Sequence, residues 1–164
     1  MENVLKKVMI IRSGECNEVN EEENMKISGV GIRQMKFLLY YPLDKYIKRG
    51  NKIILVSSAD ICSTESAQIL SEGLGIECEN TSLLLNRNNY DNSQKNSIVL
   101  NYIKEKVIEK NADVIIVIVP YLEYSNSLTK EICEYMGKTF SMPPLEKGKM
   151  IILDLERRLV PEIY

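Results

Sequence analysis

The chain has 164 residues and not one histidine. Histidine is the side chain whose ordinary titration lies nearest neutrality. Its absence excludes an imidazole nucleophile, an imidazole base beside a serine, and imidazole metal ligands. A zinc site would need thiolates from Cys16, Cys62, Cys78 and Cys133, which are scattered and never at Cys-x-x-Cys spacing. Free thiols in a reducing compartment are expected instead. Long apolar runs are also missing. The longest, residues 8–11 and 114–120, are far too short to cross a bilayer. No block of lysine and arginine stands out against a net charge of -2, so no nucleic-acid footprint is expected. Glycine-rich loops of the Walker and dinucleotide types are absent. The opening Met-Glu-Asn-Val-Leu-Lys-Lys has no apolar signal core, and a cytoplasmic protein is expected.

What is present reads as a globular domain over 1–164. With 45% apolar and 27% charged residues the composition is ordinary, and the length suffices for a real core. Residues 6–11 (Lys-Lys-Val-Met-Ile-Ile) and 52–56 (Lys-Ile-Ile-Leu-Val) predict buried strands, as do 113–119 and 150–155. Helices are expected from a Ser28 cap onward, kinked or ended at Pro42, then from a Ser58 or Asp60 cap to 73–75. Two more are expected over 98–108, with Ile98, Tyr102, Val107 and Ile108 near one face, and over 122–136. Residues 76–85 read as irregular or extended, and 16–25 and 86–93 as loops. Continuous apolar strands alternating with helices predict an α/β fold, a three-layer α/β/α sandwich around a mainly parallel sheet. Ligands of such sheets bind at the carboxyl ends of the strands. The loops there are Arg12-Ser13-Gly14-Glu15, Ser57-Ser58-Ala59-Asp60 and Val119-Pro120-Tyr121.

These segments resemble, in order and spacing, those of the histidine phosphatase superfamily, which has the phosphoglycerate mutase-like fold. The first strand and Arg12-Ser13-Gly14-Glu15 resemble the family's apolar strand and Arg-His-Gly-Glu. Residues 27–34, Ile-Ser-Gly-Val-Gly-Ile-Arg-Gln, are similar to Leu-Thr-x-x-Gly-x-x-Gln. Residues 57–67 resemble Ser-Ser-Pro-x-x-Arg-x-x-Gln-Thr-Ala, and 113–120 the strand that ends in Ser-His-Gly. Residues 148–154 resemble the last strand of the short phosphohistidine phosphatases.

The resemblance implies a dismantled site. The nucleophilic histidine falls on Ser13, a phosphate-binding arginine on Cys62, the second histidine on Val119 and its glycine on Pro120; the acid falls near Asn86. Phosphoryl transfer of this kind needs the imidazole nucleophile and several cations around the equatorial oxygens. No turnover is expected. The expected role is a binding or regulatory module for a phosphorylated or other anionic small molecule, or for a protein partner, with no cofactor, metal, nucleic acid or membrane. Arg12, Ser13, Gly14 and Ser57 are the candidate anion-binding residues. Arg12 has a second reading, a pairing with Glu15 or another carboxylate that only holds the loop. Cys62 reads as a reactive thiol near a helix start or as an inert, partly buried one. No cysteine is followed six residues later by arginine, which excludes the cysteine phosphatase loop. Alternative roles are an enzyme using Cys62 or the carboxylates Glu15, Glu18 and Asp60, and a structural or oligomeric subunit. Tyr121 and Tyr124 are expected at the crevice mouth.

Overall fold

Each long strand is a run of β-branched and aliphatic residues that can pack on both faces, and each is buried on both. In the computed structural model these are β1 (Lys7–Arg12), β2 (Ile53–Ser58), β4 (Val114–Val119) and β5 (Met150–Asp154). The structure describes residues 5–17, 25–85, 92–120, 122–135, 137, 143–156 and 161–164. Two further strands complete a six-stranded sheet, β3 (Cys78–Thr81) and β6 (Glu162–Ile163), in the order β3-β2-β4-β1-β5-β6. Strands β3, β2, β4 and β1 are parallel, whereas β5 runs antiparallel to β1 and to β6.

Alternation along the strands divides the core in two. Met9, Ile11, Ile116 and Ile118 pack with Met35, Leu38, Ala67 and Leu70 from α1 (Gly29–Leu38) and α3 (Ile61–Leu74). Val8, Ile10, Ile115 and Val117 pack on the other face with Val99, Ile103, Leu128 and Ile132 from α4 (Asn92–Lys110) and α5 (Leu122–Tyr135). The result is the expected sandwich of two helical layers about a mainly parallel sheet.

Local chemistry sets the helix ends. Ser28 Oγ accepts from the Gly31 amide at 3.1 Å and Asp60 Oδ1 from the Ser63 amide at 2.8 Å, so Asp60 and not Ser58 caps α3. Gly75 ends α3 in the left-handed conformation, φ 66°. Pro42 neither stops nor sharply breaks its helix. It sits inside a π-helical turn, Leu39–Leu43, which leads into the short α2 (Asp44–Tyr46).

One expectation is sharpened and two need correction. Within the stretch expected as irregular or extended, residues 78–81 (Cys-Glu-Asn-Thr) are extended and form a regular strand although they are polar, because this is the sheet edge and β2 supplies the pairing. The α4 helix begins before residue 98, and its inward face carries Val99, Ile103 and Val107 at four-residue spacing. Ile98 and Ile108 are 39% and 66% exposed. The chain after β5 returns as β6, where the Met150 and Tyr164 backbones exchange two hydrogen bonds of 2.9 Å.

Candidate functional site

The loop after β1 is shaped by two glycines. A Cβ on Gly31 would lie 2.3 Å from the Glu15 carbonyl oxygen, and one on Gly14 would lie 2.8 Å from Gly31 Cα. Only the bare backbones can approach this closely. Gln34 then ties the loop down. Its Oε1 accepts from the Glu15 amide at 2.9 Å, and its Nε2 donates to the Lys147 carbonyl at 3.3 Å. Glu65 and Ser66 act from α3. Glu65 Oε2 accepts from the Ile27 amide at 2.6 Å, and Ser66 Oγ accepts from the Gly14 amide at 3.1 Å while donating to the Cys62 carbonyl at 2.8 Å. These side chains spend their polar atoms on the backbone of the loops.

The loops enclose a cavity of about 180 Å³ at the carboxyl ends of the parallel strands, lined by Arg12, Ser13, Cys16, Met25, Asp60, Cys62, Pro120 and Lys147. Lys147 arrives because β5 is antiparallel, so the turn before it lies at this end of the sheet. The Gly148 amide in that turn donates to the carbonyls of Arg12 and Ser13 at 3.1 and 3.0 Å. The guanidinium of Arg12 donates to the Leu145 carbonyl at 3.2 Å. That contact anchors Arg12 on the segment before β5. Ser13 is 1% exposed, and its amide donates to the Val119 carbonyl at 2.9 Å. Asp60 spends Oδ1 on its cap, while Oδ2 is buried with no hydrogen-bond partner among the described residues. Among the described lining residues two cations and one carboxylate thus face a space below the roughly 300 Å³ at which drug-sized ligand pockets begin. It suits a small oxyanion or the charged end of a larger molecule.

The structure brings Arg12, Ser13, Cys62 and Asp60 together and leaves other candidates out. The Gly14 amide is already committed to Ser66. Ser57 is fully buried, its hydroxyl donating to the Ser58 carbonyl at 2.9 Å. Val119 is fully buried in the apolar cluster beneath α4 and α5 and does not line the cavity. Glu15 is absent from the lining as well. Glu18, Asn86 and Tyr121, and the side chain of Tyr124, lie outside the described residues. No group of three metal-ligating side chains occurs among the described residues.

The expectation of free thiols is overturned at the pocket itself. Cys16 and Cys62 form a disulfide across 46 residues, with Cα atoms 6.2 Å apart. The pair forms because the β1 loop and the first turn of α3 converge on the same carbonyl: Gly14 O lies 3.3 Å from the Cys16 sulfur and 3.4 Å from that of Cys62. Cys62 is therefore neither a free nucleophile nor an inert thiol. Lys147 Nζ stands 3.5 Å from the Cys16 sulfur. Lys147 and Cys16 are the residues the sequence reading missed. The signal for both was positional: Cys16 closely follows Ser13, and Lys147 immediately precedes the glycine turn of an antiparallel strand.

Larger depressions of about 540 and 610 Å³ lie elsewhere. One is lined by Leu39, Leu43, Ile47 and Leu74, the other by residues of β2 and β3. Neither lies where strand ends and loop amides converge, which is where this sheet type binds its ligands. Near the second, Glu79 is held below the ordinary carboxyl range, first by the Tyr102 hydroxyl at 2.6 Å and then by Lys106 at 2.9 Å. Burial, reinforced by Glu79, pushes the Cys78 thiol up to about 11.

No family model matches the chain, and no curated protein matches it in sequence. Solved structures do match along its whole length. The SixA protein of Agrobacterium tumefaciens superposes with a TM-score of 0.70 at 10% identity, covering 96% of this chain and 98% of its own. The protein histidine phosphatase SixA complexed with tungstate gives 0.69 at 14% identity, over 96% and 94%. A mycobacterial glucosyl-3-phosphoglycerate phosphatase with inorganic phosphate gives 0.64 at 10% identity, over 97% and 95%. With the strand order, the two helical layers and the loop architecture described above, the chain has the phosphoglycerate mutase-like fold of the histidine phosphatases.

Proposed function

We propose that this chain is a degenerate member of the histidine phosphatase superfamily that binds a small oxyanion, such as a phosphoryl group, without hydrolysing it, and serves as a binding or regulatory module. The observation that carries the reading is the composition of the cavity: Arg12 and Lys147 remain as cations, while the place registered to the nucleophile holds Ser13 and that of a phosphate-binding arginine holds a disulfide sulfur. Phosphoryl transfer through a covalent phosphoimidazole has no atom to proceed on, since the chain contains no histidine. A serine hydroxyl without a base is a poor nucleophile. Loss of one oxyanion donor typically costs on the order of 10²–10³ in rate, and here nucleophile and cation are absent together. Binding needs less. Two cations beside an enclosed space attract an oxyanion, and fold neighbours were solved with tungstate and with inorganic phosphate.

The test pairs an assay with a binding measurement. An aryl phosphate and a phosphohistidine peptide should show no turnover above buffer. Calorimetry with tungstate or phosphate should show binding that Arg12→Ala abolishes and Lys147→Gln weakens. Robust turnover that disappears in Arg12→Ala would overturn the reading, as would a wild-type chain indifferent to both oxyanions.

A further inference from the structure

The disulfide is the part of the pocket that oxyanion binding does not use. Its two sulfurs are not equivalent. Cys16 is half-buried, whereas Cys62 is 4% exposed. A molecule entering the cavity therefore meets the Cys16 sulfur first. Cys62 is the second residue of α3 after the Asp60 cap, where unpaired first-turn amides and the helix dipole favour negative charge. Once protonated, a released Cys62 thiol has the Gly14 carbonyl oxygen at 3.4 Å as acceptor. Both oxidation states are thus provided for. Attack at Cys16 expels the sulfur that is better placed to leave.

We propose that Cys16 and Cys62 are a thiol–disulfide exchange site for small thiols that carry a carboxylate or similar negative group. The thiolate of the small molecule attacks Cys16 Sγ. A new sulfur–sulfur bond joins it to Cys16, the Cys16–Cys62 bond breaks, and its electron pair departs on Cys62. A second small thiolate attacks the outer sulfur of the mixed disulfide and releases Cys16. Two small thiols are oxidised to their disulfide, the protein is reduced to the dithiol, and the two thiol protons end on Cys16 and Cys62. The reverse reaction reoxidises the protein with the small-molecule disulfide. Among the described lining residues Lys147, beside the attacked sulfur, and Arg12 outnumber the carboxylate Asp60, which favours an anionic thiol over a cationic one.

The experiment uses the full oxidised chain and three probes: reduced glutathione, mercaptoacetate and cysteamine. They are compared at equal thiolate concentration, with acid quenching and peptide mapping by mass spectrometry. The mixed disulfide should map to Cys16, and the two anionic thiols should open the bond about ten-fold faster than cysteamine. Lys147→Gln should remove most of that preference, and Cys62→Ser, treated with oxidised glutathione, should exchange to a mixed disulfide held on Cys16 with release of one reduced glutathione. If Cys62→Ser does not fold, the wild-type map decides. Adducts on Cys62, equal rates for all three probes, or a bond that withstands millimolar glutathione would each overturn the proposal. Phosphate binding alongside an inert disulfide would overturn it and leave the oxyanion reading standing.

Discussion

At the amino end of the sheet, Asp113 is closed on its neighbours. Its carboxylate accepts from the Lys52 amide at 2.9 Å and pairs with Lys6 at 3.2 Å, while its backbone carbonyl takes the Lys6 amide at 2.7 Å. At the carboxyl end the loops are fixed just as firmly by Gly31, Gln34, Glu65 and Ser66, yet Arg12, Lys147, Asp60 and the disulfide are turned to a cavity. One end uses its charges to finish the fold. At the other, charged side chains that also hold the fold, Arg12 on the Leu145 carbonyl and Asp60 on the α3 cap, line a cavity as well. Against the family pattern, Gly31 and Gln34 stand as the pattern has them, Glu65 and Ser66 stand where it has Gln and Thr, and of the positions it gives to phosphate Arg12 is kept while Ser13, Cys62 and Val119 differ.

This contrast can be broken by experiment. The largest effect should come from Gly31→Ala. Helix propensity alone would gain up to about 1 kcal/mol, but the new methyl meets the Glu15 backbone, and overpacking should destabilise the chain by about 2–3 kcal/mol net. Urea unfolding measures it, and a neutral result would mean that the two glycines do not set the loop.

Reduction of the Cys16–Cys62 bond should come next. A purely structural link across 46 residues would contribute about 4 kcal/mol in the chain-entropy model. If the pocket also accommodates the dithiol, the loss on reduction should be about half of that, read from unfolding curves with and without a phosphine reductant. Gln34→Leu should cost about 1–2 kcal/mol by stranding the Glu15 amide and the Lys147 carbonyl. It should also weaken tungstate binding, because Lys147 loses its tether.

The smallest effect is expected at the opposite end. The Asp113 carboxyl is held below its ordinary value of 3.8, first by the Lys52 amide and then by Lys6. A depressed carboxyl stabilises the fold above its unfolded pKa, and the contribution is lost as pH falls through the folded value. Asp113→Asn should therefore destabilise at pH 7 by less than about 1 kcal/mol, since solvent reaches the pair. The difference should fade as pH falls below that ordinary value, and oxyanion binding should not change at all. A change in binding would show that the two ends are coupled.

The four buried strands, both layers of helices and the Ser28 and Asp60 caps were legible in the sequence, because burial on two faces and capping chemistry leave local signatures. The edge strand at 78–81 was legible only as an irregular or extended stretch, since its pairing comes from β2 and not from its own polar residues. The inward face of α4 was misread because Ile98 and Ile108 are apolar yet exposed, and a pattern cannot tell which isoleucine meets the sheet. In the site, Arg12 and Ser13 were found from the strand end. Ser57 and Gly14 were assigned to the pocket because they sit on its loops, but their polar atoms are spent on Ser58 and Ser66. The disulfide escaped because its cysteines are 46 residues apart and only the convergence of two loops on the Gly14 carbonyl joins them.

That bond also alters what the chain can do under load. It closes a covalent ring around α1, the π-helical turn, α2 and β2. Pulled from its two ends, the oxidised chain cannot pay out the residues inside the ring. At about 3.4 Å per residue, opening the 46-residue loop should lengthen the fully stretched chain by roughly 150 Å. A small thiol that opens the bond would thus set how far the unfolded chain can be extended.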